Sequence, residues 1–438
     1  MYFGLKTLFF VFCFCCLSNV TLGNLFTKEL TIEINEGAVT AIPIAIVPFL
    51  QPAELTSNLG SVVVNDLSMS GKFLSISEDL MLAKPTIKDE INFKNWRVLG
   101  VENLVVGRVV NHGSSYLIEF KLYDVFRNIV LESKSIEVAK SSELRNGFHQ
   151  VSDLIYEKII GNKGIFRTKI AYVEHTNDLD AVDNYRLMIA DWDGNNPRSV
   201  LSSSEPILSP CWSPDGIYLS YVSFETGHSS VFIQNLGSGQ RRQIPIKGGI
   251  TGAPAFSPDG KSLAFTSSKD GNPDLFLYDL NSNTIKKLTR NPAIDTEASW
   301  SPKGNELVFT SDRGGSAQIY KLNMATSKVS RLTFGLGNYN ANAEFSRNGQ
   351  HLVMVSRLEK KYRIISLNLK TGDISTVSRS NLDESPSFSP NGEMIVYSSR
   401  NSNYSQLVLA TSDGFSGGAK LRSSKSDMRE PAWGPNAY

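Results

Sequence analysis

Gly414-Phe415-Ser416-Gly417-Gly418 spells the G-x-S-x-G string of a nucleophile elbow, in which a serine on a sharp strand-to-helix turn attacks an acyl carbon. The elbow requires Asp and His later in the chain, yet only 20 residues follow Gly418 and none is histidine, so the string reads as a loop between outer strands. Cys211 could be a nucleophile only with a depressed pKa and a basic neighbour, and no such neighbour is visible near it in sequence. The five histidines, His112, His149, His175, His228 and His351, are dispersed, with no H-E-x-x-H and no cysteine pair to complete a zinc site. Residues 191–196 (DWDGNN) resemble the opening of a calcium loop but lack its later glutamate. Asp215 and Asp259 sit in Ser-Pro-Asp-Gly, where a carboxylate would serve acid–base chemistry, but the same place holds Lys303, Asn348 and Asn391 elsewhere. Turn formation explains them, and Ser-x-Asp-Gly also misses the Ser-x-Asp-x-Gly spacing of a sialidase Asp-box. The expectation is a chain with no catalytic residue, no metal ligand and no cofactor.

These residues are held by a repeat. CWSPDGIYLSYVS from Cys211 returns as AFSPDGKSLAFTS from Ala255, SWSPKGNELVFTS from Ser299, EFSRNGQHLVMVS from Glu344 and SFSPNGEMIVYSS from Ser387, and AWGP from Ala432 is a last fragment. The aromatic anchors Trp212, Phe256, Trp300, Phe345, Phe388 and Trp433 are spaced by 44, 44, 45, 43 and 45 residues, the period of a propeller blade of four strands. Each anchor ends a strand, Pro and Gly shape the turn, and Leu-x-Tyr/Phe/Met-x-Ser supplies the next strand. Six such second strands can be counted, the first beginning at Ile170 and the last at Ile395. The first has no anchor before it and Trp433 has no strand after it. The C-terminal strand is therefore predicted to pair with the first blade and close a six-bladed ring.

Ahead of the repeats, residues 1–23 read as a signal peptide: Lys6, then the apolar run of residues 8–17, then small and polar residues. Ten apolar residues are too few to cross a core of about 30 Å as a helix, and Phe or Cys before Cys13, Cys15 and Cys16 argues against a lipidation signal. The mature chain is expected to be exported and not membrane-spanning, with Cys211 as its single cysteine and no internal disulfide. Removing Lys6 leaves 43 basic and 43 acidic residues, a neutral balance that argues against nucleic acid as a partner. Residues 24–163 lack the repeat and are expected to form an α/β or α+β domain, ahead of a propeller over residues 164–438. Strands are predicted at residues 31–34, 42–49, 73–77, 104–110, 116–125 and 129–138. Helices are predicted over residues 55–67, with Leu55, Leu59, Val62, Val63 and Leu67 on one face, and over residues 142–160, with Leu144, Phe148, Val151, Ile155 and Ile159.

What is left is a binding surface. In a propeller the connections into the innermost strands ring one channel mouth, and here they contain Glu205, Asp295, Glu297, Glu344, Asp383, Glu384, Asp427 and Glu430. Such an acidic cast suits a partner-binding rim, and it equally suits solvated turn charges.

PIAIVPF from Pro43, VSDLIYEKIIGNKGIFRTKIAYV from Val151 and the W/F-S-P-D-G-x-x-L-x-Y/F repeats together resemble the TolB family of the Tol-Pal system, over essentially all of the chain after residue 23. The resemblance implies an N-terminal domain like the anticodon-binding domain of some aminoacyl-tRNA synthetases and a six-bladed propeller; such a fold does not import tRNA binding. It implies a non-catalytic periplasmic scaffold linking TolA, and through it TolQ and TolR, to the outer-membrane lipoprotein Pal, in support of outer-membrane integrity and invagination during cell division. Pal would dock at the mouth, where Ala253, Thr296 and Glu297 match the family's segments best, Asp383 and Glu384 match too, and Glu430 lies on the same rim. TolA would bind the segment of residues 24–35, with Leu25, Phe26, Leu30, Ile32 and Ile34, which departs from the family in detail. Its alternation would suit adding a strand to a partner's sheet, or an edge strand of its own domain. The alternative is a propeller-bearing serine hydrolase of the prolyl oligopeptidase type, for whose separate hydrolase domain the sequence after the closing strand leaves no room.

Overall fold

The apolar stretch after residue 41 cannot remain in water, and the way it is buried organises the first domain. A computed structural model describes residues 41–176, 184–401, 404–414, 419–421 and 426–436. The signal segment, the strand expected at 31–34, Leu25, Phe26, Leu30, Ile32, Ile34 and Ser416 lie outside the described residues. In order the elements are β1 (Ile42–Ile46), α1 (Gly60–Met69), β2 (Phe73–Ser75), α2 (Phe93–Val98), β3 (Asn103–His112), β4 (Ser115–Asp124), β5 (Ile129–Val138) and α3 (Leu144–Ile160). They form one mixed sheet of order β2-β1-β3-β4-β5, in which β1 runs parallel to both its neighbours and the rest is antiparallel. Helices α1 and α3 cover one face through Val63, Leu67, Phe148, Val151 and Ile155, while α2 covers the other by setting Trp96 against Leu104, Val106 and Tyr123. With both faces covered, β3 must be apolar on each side, which is why Leu104, Val105 and Val106 run without alternation.

Two details differ from the sequence pattern. The first helix begins at Gly60 rather than near residue 55, because the Gln51 side-chain amide donates to the Leu55 and Ser57 carbonyls and holds that stretch out of the helix. Leu55 and Leu59 still pack against the core, so the apolar spacing reports the buried face correctly and the first turn wrongly. Helix α2 is too short to show a period; what starts it is the Asn92 side chain, which accepts from the Lys94 N–H at 3.2 Å.

The chain then enters β6 (Lys169–His175), β7 (Tyr185–Asp191) and β8 (Arg198–Ser203). The strand Asp427–Trp433 pairs with β6, making blade 1 from both ends of the propeller sequence. Five further four-stranded sheets follow, with innermost strands Ile207–Trp212, Thr251–Phe256, Asp295–Trp300, Asn340–Phe345 and Asp383–Phe388, here blades 2 to 6. The aromatic anchors explain themselves at the seams. Trp212 and Trp300 donate their indole N–H to the Ala432 and Ala255 carbonyls of the preceding blade, each at 3.1 Å, and Trp433 donates to Thr168 Oγ1 at 2.8 Å. The Ser-Pro-Asp-Gly turns work the same way. Asp215 and Asp259 accept backbone N–H bonds inside their own turns. Gly216, at φ 71°, lies so close to Pro435 of the preceding blade that a Cβ would approach the proline ring to 3.3 Å.

The N-terminal domain and blades 1 and 6 share one apolar cluster, in which Tyr156, Phe166 and Trp192 meet edge to face. Asn391 donates to the Lys163 carbonyl and Lys72 pairs with Glu393, so the domain rests on the face that carries the Ser-Pro-Asp-Gly turns. Trp433 is buried and its strand is the innermost of blade 1. Trp433→Ala is expected to cost about 3–5 kcal/mol in a denaturant titration, and ending the chain after Arg429 to abolish the cooperative transition. Full cooperativity at the unchanged midpoint in the truncated chain would refute closure by this strand.

Candidate binding mouth of the propeller

An innermost strand has a blade on one side and the ring axis on the other, so its axial N–H groups need partners or must be removed. Both solutions occur. Proline replaces the donor at Pro210, Pro254, Pro386 and Pro431. Elsewhere a side chain reaches across from the neighbouring blade: Ser299 Oγ accepts from the Phe345 N–H, Glu344 Oε1 from the Phe388 N–H at 3.0 Å, and Ser387 Oγ from the Trp433 N–H at 3.0 Å. Cys211 occupies this same slot, with its Sγ 3.7 Å from the Trp212 carbonyl, and burial pushes its thiol up to about 11. It stays a thiol at neutral pH, as the small-side-chain reading of the slot requires.

Two residues before each slot every inner strand bulges. Two residues face one on the partner strand, as where Glu297 and Ala298 oppose Phe309 between the pairs Thr296–Thr310 and Ser299–Val308. The extra residue is left-handed in all six blades: Ser209, Ala253, Glu297, Asn342, Ser385 and Glu430 have φ between 46° and 57°. A non-glycine residue adopts this conformation at a cost of about 1–2 kcal/mol, which the surrounding ring must offset. At the bulges two glutamates lock neighbouring blades together. Glu297 Oε2 accepts from Thr310 Oγ1 at 2.8 Å and from the Asn342 N–H at 2.9 Å, and Glu430 Oε2 accepts from the Ser209 N–H. Slots and bulges together line an axial channel of about 780 Å³.

Ala253, Thr296, Glu297 and Glu430 line the channel, and Thr296 accepts from Thr266 Oγ1 at 3.2 Å. Asp383 is fully buried at the start of its strand, where it accepts from Ser380 Oγ. Its counterparts Asp295 and Asp427 are buried as well, the first held by two Arg313 hydrogen bonds at 2.7 and 2.8 Å, the second by Arg429 and by the Ser405 N–H. Glu384 is half-buried and Glu205 exposed. The acidic cast is thus partly withdrawn into the wall. Burial also pushes Glu344 up to about 7 and raises Glu430 above the usual carboxylate range. What the sequence pattern missed on this face is apolar: Ile250 and Ile294, directly before their inner strands, and Phe334, in the next such connection, are 70, 48 and 70% exposed. Their signal was the shared position ahead of the repeat.

The described histidines do not assemble a metal site at the mouth, and the 191–196 turn uses its acids differently: Asp191 binds Lys169 and Asn196, and Asp193 binds Arg145 and the Asn195 N–H. Among the described residues no helix is long and apolar enough to cross a membrane.

Fold and mouth together define an α/β domain joined to a six-bladed β-propeller with an open axial channel. Residues 30–131 match the family model of the TolB amino-terminal domain, and residues 156–437 that of the TolB beta propeller domain. The Tol-Pal system protein TolB of Xanthomonas oryzae pv. oryzae (strain MAFF 311018) is 49% identical over 418 residues, 93% of either chain. Its counterpart in Xanthomonas campestris pv. campestris (strain B100) is 48% identical over the same length and coverage. The crystal structure of TolB from Acinetobacter baumannii superposes with a TM-score of 0.85 at 40% identity, covering 90% of this chain and 97% of that one. The chain belongs to the TolB family.

A carboxyl raised by burial binds its proton more tightly folded than unfolded, so the stability it confers is present below the ordinary value of 4.5 and lost as the pH rises through about 7. Calorimetry between pH 5 and 8 should therefore show the wild-type melting temperature falling by about 3 °C relative to Glu344→Gln. Parallel melting curves would contradict this placement of Glu344.

Proposed function

We propose that this chain is a non-catalytic periplasmic scaffold of the Tol-Pal system, which holds Pal at the propeller mouth and offers residues 24–35 to TolA, itself in complex with TolQ and TolR. Through that link it supports outer-membrane integrity and invagination during cell division. The observation that carries the reading is the relationship along almost the whole chain to proteins named Tol-Pal system protein TolB. Family membership also takes away the motive for the hydrolase alternative. The mouth supports docking on physical grounds. It lies at the opposite end of the strands from the turns that hold the N-terminal domain, and it offers exposed apolar side chains around a polar opening, the composition of an interface centre and its rim.

On this reading Pal contacts divide by depth. Ile250, Ile294 and Phe334 supply apolar area, Glu384 a rim charge, and Ala253, Thr296, Glu297 and Glu430 the edge of the channel. Asp383 acts by shaping its loop from within. In co-purification from cells, Ile250→Asp/Ile294→Asp is expected to reduce Pal capture at least tenfold, about 1.4 kcal/mol, with melting unchanged. Glu297→Lys should reduce capture too, with some loss of stability because its carboxylate holds the Asn342 N–H. Retention of Pal by the isoleucine variant would move the docking site off this face. If the two partner sites are coupled, the coupling is reciprocal, so deleting residues 24–35 should both abolish TolA binding and change Pal affinity. Unchanged Pal affinity in that deletion would leave two independent sites.

A further inference from the structure

The junction between the N-terminal domain and blade 1 buries charge that an apolar seam would not need. Asp66 on α1 is fully buried and His149 on α3 is 2% exposed. His149 Nδ1 lies 2.8 Å from Asp66 Oδ2, and the Trp192 indole, from the turn after β7, donates its N–H to Asp66 Oδ1 at 3.2 Å. One carboxylate thereby ties together α1, α3 and the propeller.

The charged groups around it account for one another, with a single remainder. Arg145 of α3 pairs with Asp193 in the propeller turn and approaches Asp191 at 3.8 Å. Lys169 of β6 pairs with Asp191. Asp153 of α3 pairs with Arg167 of the connector at 2.9 Å. Asp66 has no guanidinium or ammonium partner among the described residues; the His149 ring and the Trp192 indole N–H face it instead. Asp66, His149 and Asp193 come within 4.8 Å of one another, a spacing that a metal ion could bridge. The carboxylate oxygens are already taken, however, by Trp192 and His149 on Asp66 and by Arg145 and Asn195 on Asp193. Protons suit this cluster and a cation does not. His149 Nε2 is buried without a hydrogen-bond partner among the described residues, so the imidazole gains nothing on that side. Burial, opposed by the His149 hydrogen bond and charge, leaves Asp66 raised to about 6.

We propose that the Asp66–His149 pair is a proton-operated latch, which holds the N-terminal domain against blade 1 while it carries its proton and loosens that junction when the proton leaves. A junction that opens returns Asp66 to water and to its ordinary value of 3.8, so the closed form binds the proton more tightly. Closure is therefore favoured at low pH and lost as the pH rises through about 6. The junction also touches the ring closure. The Trp192 backbone N–H donates to the Thr168 carbonyl at 3.1 Å, and Thr168 Oγ1 accepts from Trp433 on the closing strand.

The test follows the indole N–H of Trp192 by NMR in the full chain between pH 5 and 8, assigned with Trp192→Phe. The signal is expected to titrate with a midpoint near 6, and to stay flat in Asp66→Asn, whose amide oxygen still accepts the bond without ionising. His149→Gln should move the midpoint upward, since the imidazole lowers the carboxyl. A flat wild-type signal, or the same titration in Asp66→Asn, overturns the proposal. Should Asp66→Asn not fold, the wild-type and His149→Gln titrations decide, an unmoved midpoint counting against the pair.

Discussion

The axial edge of the innermost strand is the constraint from which most of this molecule follows. Six sheets around an axis leave six such edges, each with backbone donors that water in a narrow channel serves poorly. The ring answers with prolines that lack the donor and with side chains lent by the neighbouring blade, as Ser299, Glu344 and Ser387 are lent to Phe345, Phe388 and Trp433. Because each blade completes the next, the ring must close, and the strand Asp427–Trp433 closes it on β6.

The same constraint shapes the mouth. A bulge at one register in all six blades puts a left-handed residue at the rim of the channel, and where that residue is glutamate its carboxylate is spent on holding the adjacent blade. Acidic residues that look like a recognition surface when counted in sequence are therefore largely structural. Asp295, Asp383 and Asp427 are buried, and Glu344 and Glu430 are raised by burial in the channel wall. What faces outward includes the apolar Ile250, Ile294 and Phe334 among exposed charges such as Glu205, Lys247 and Arg290, a mixture that suits a protein partner.

Repetition made the propeller easy to read. Comparing Cys211 with Ala255, Ser299, Glu344, Ser387 and Ala432 already showed a slot indifferent to chemistry, and the missing anchor before Ile170 already implied the closing strand. Alternation located β4, and apolar spacing located the buried face of α3. Local patterns failed where a single long-range contact decides the outcome. Gln51 delays the start of α1, and Trp96, with Phe93 against Tyr123, anchors the short α2 beneath the sheet.

By itself the sequence determined the blade count, the strands, the turns and the closure, because a repeat states the same short-range rules several times over. Its family motifs also pointed to the Tol-Pal system. Only the tertiary structure decided which acids face water and which are held in the wall, since burial depends on what the neighbouring blade places opposite. Only it brought Asp66, His149 and Trp192 together, from two helices and a propeller turn far apart in the chain. No local pattern records such a meeting, because each residue is unremarkable beside its own neighbours and acquires its role from a buried contact across two domains.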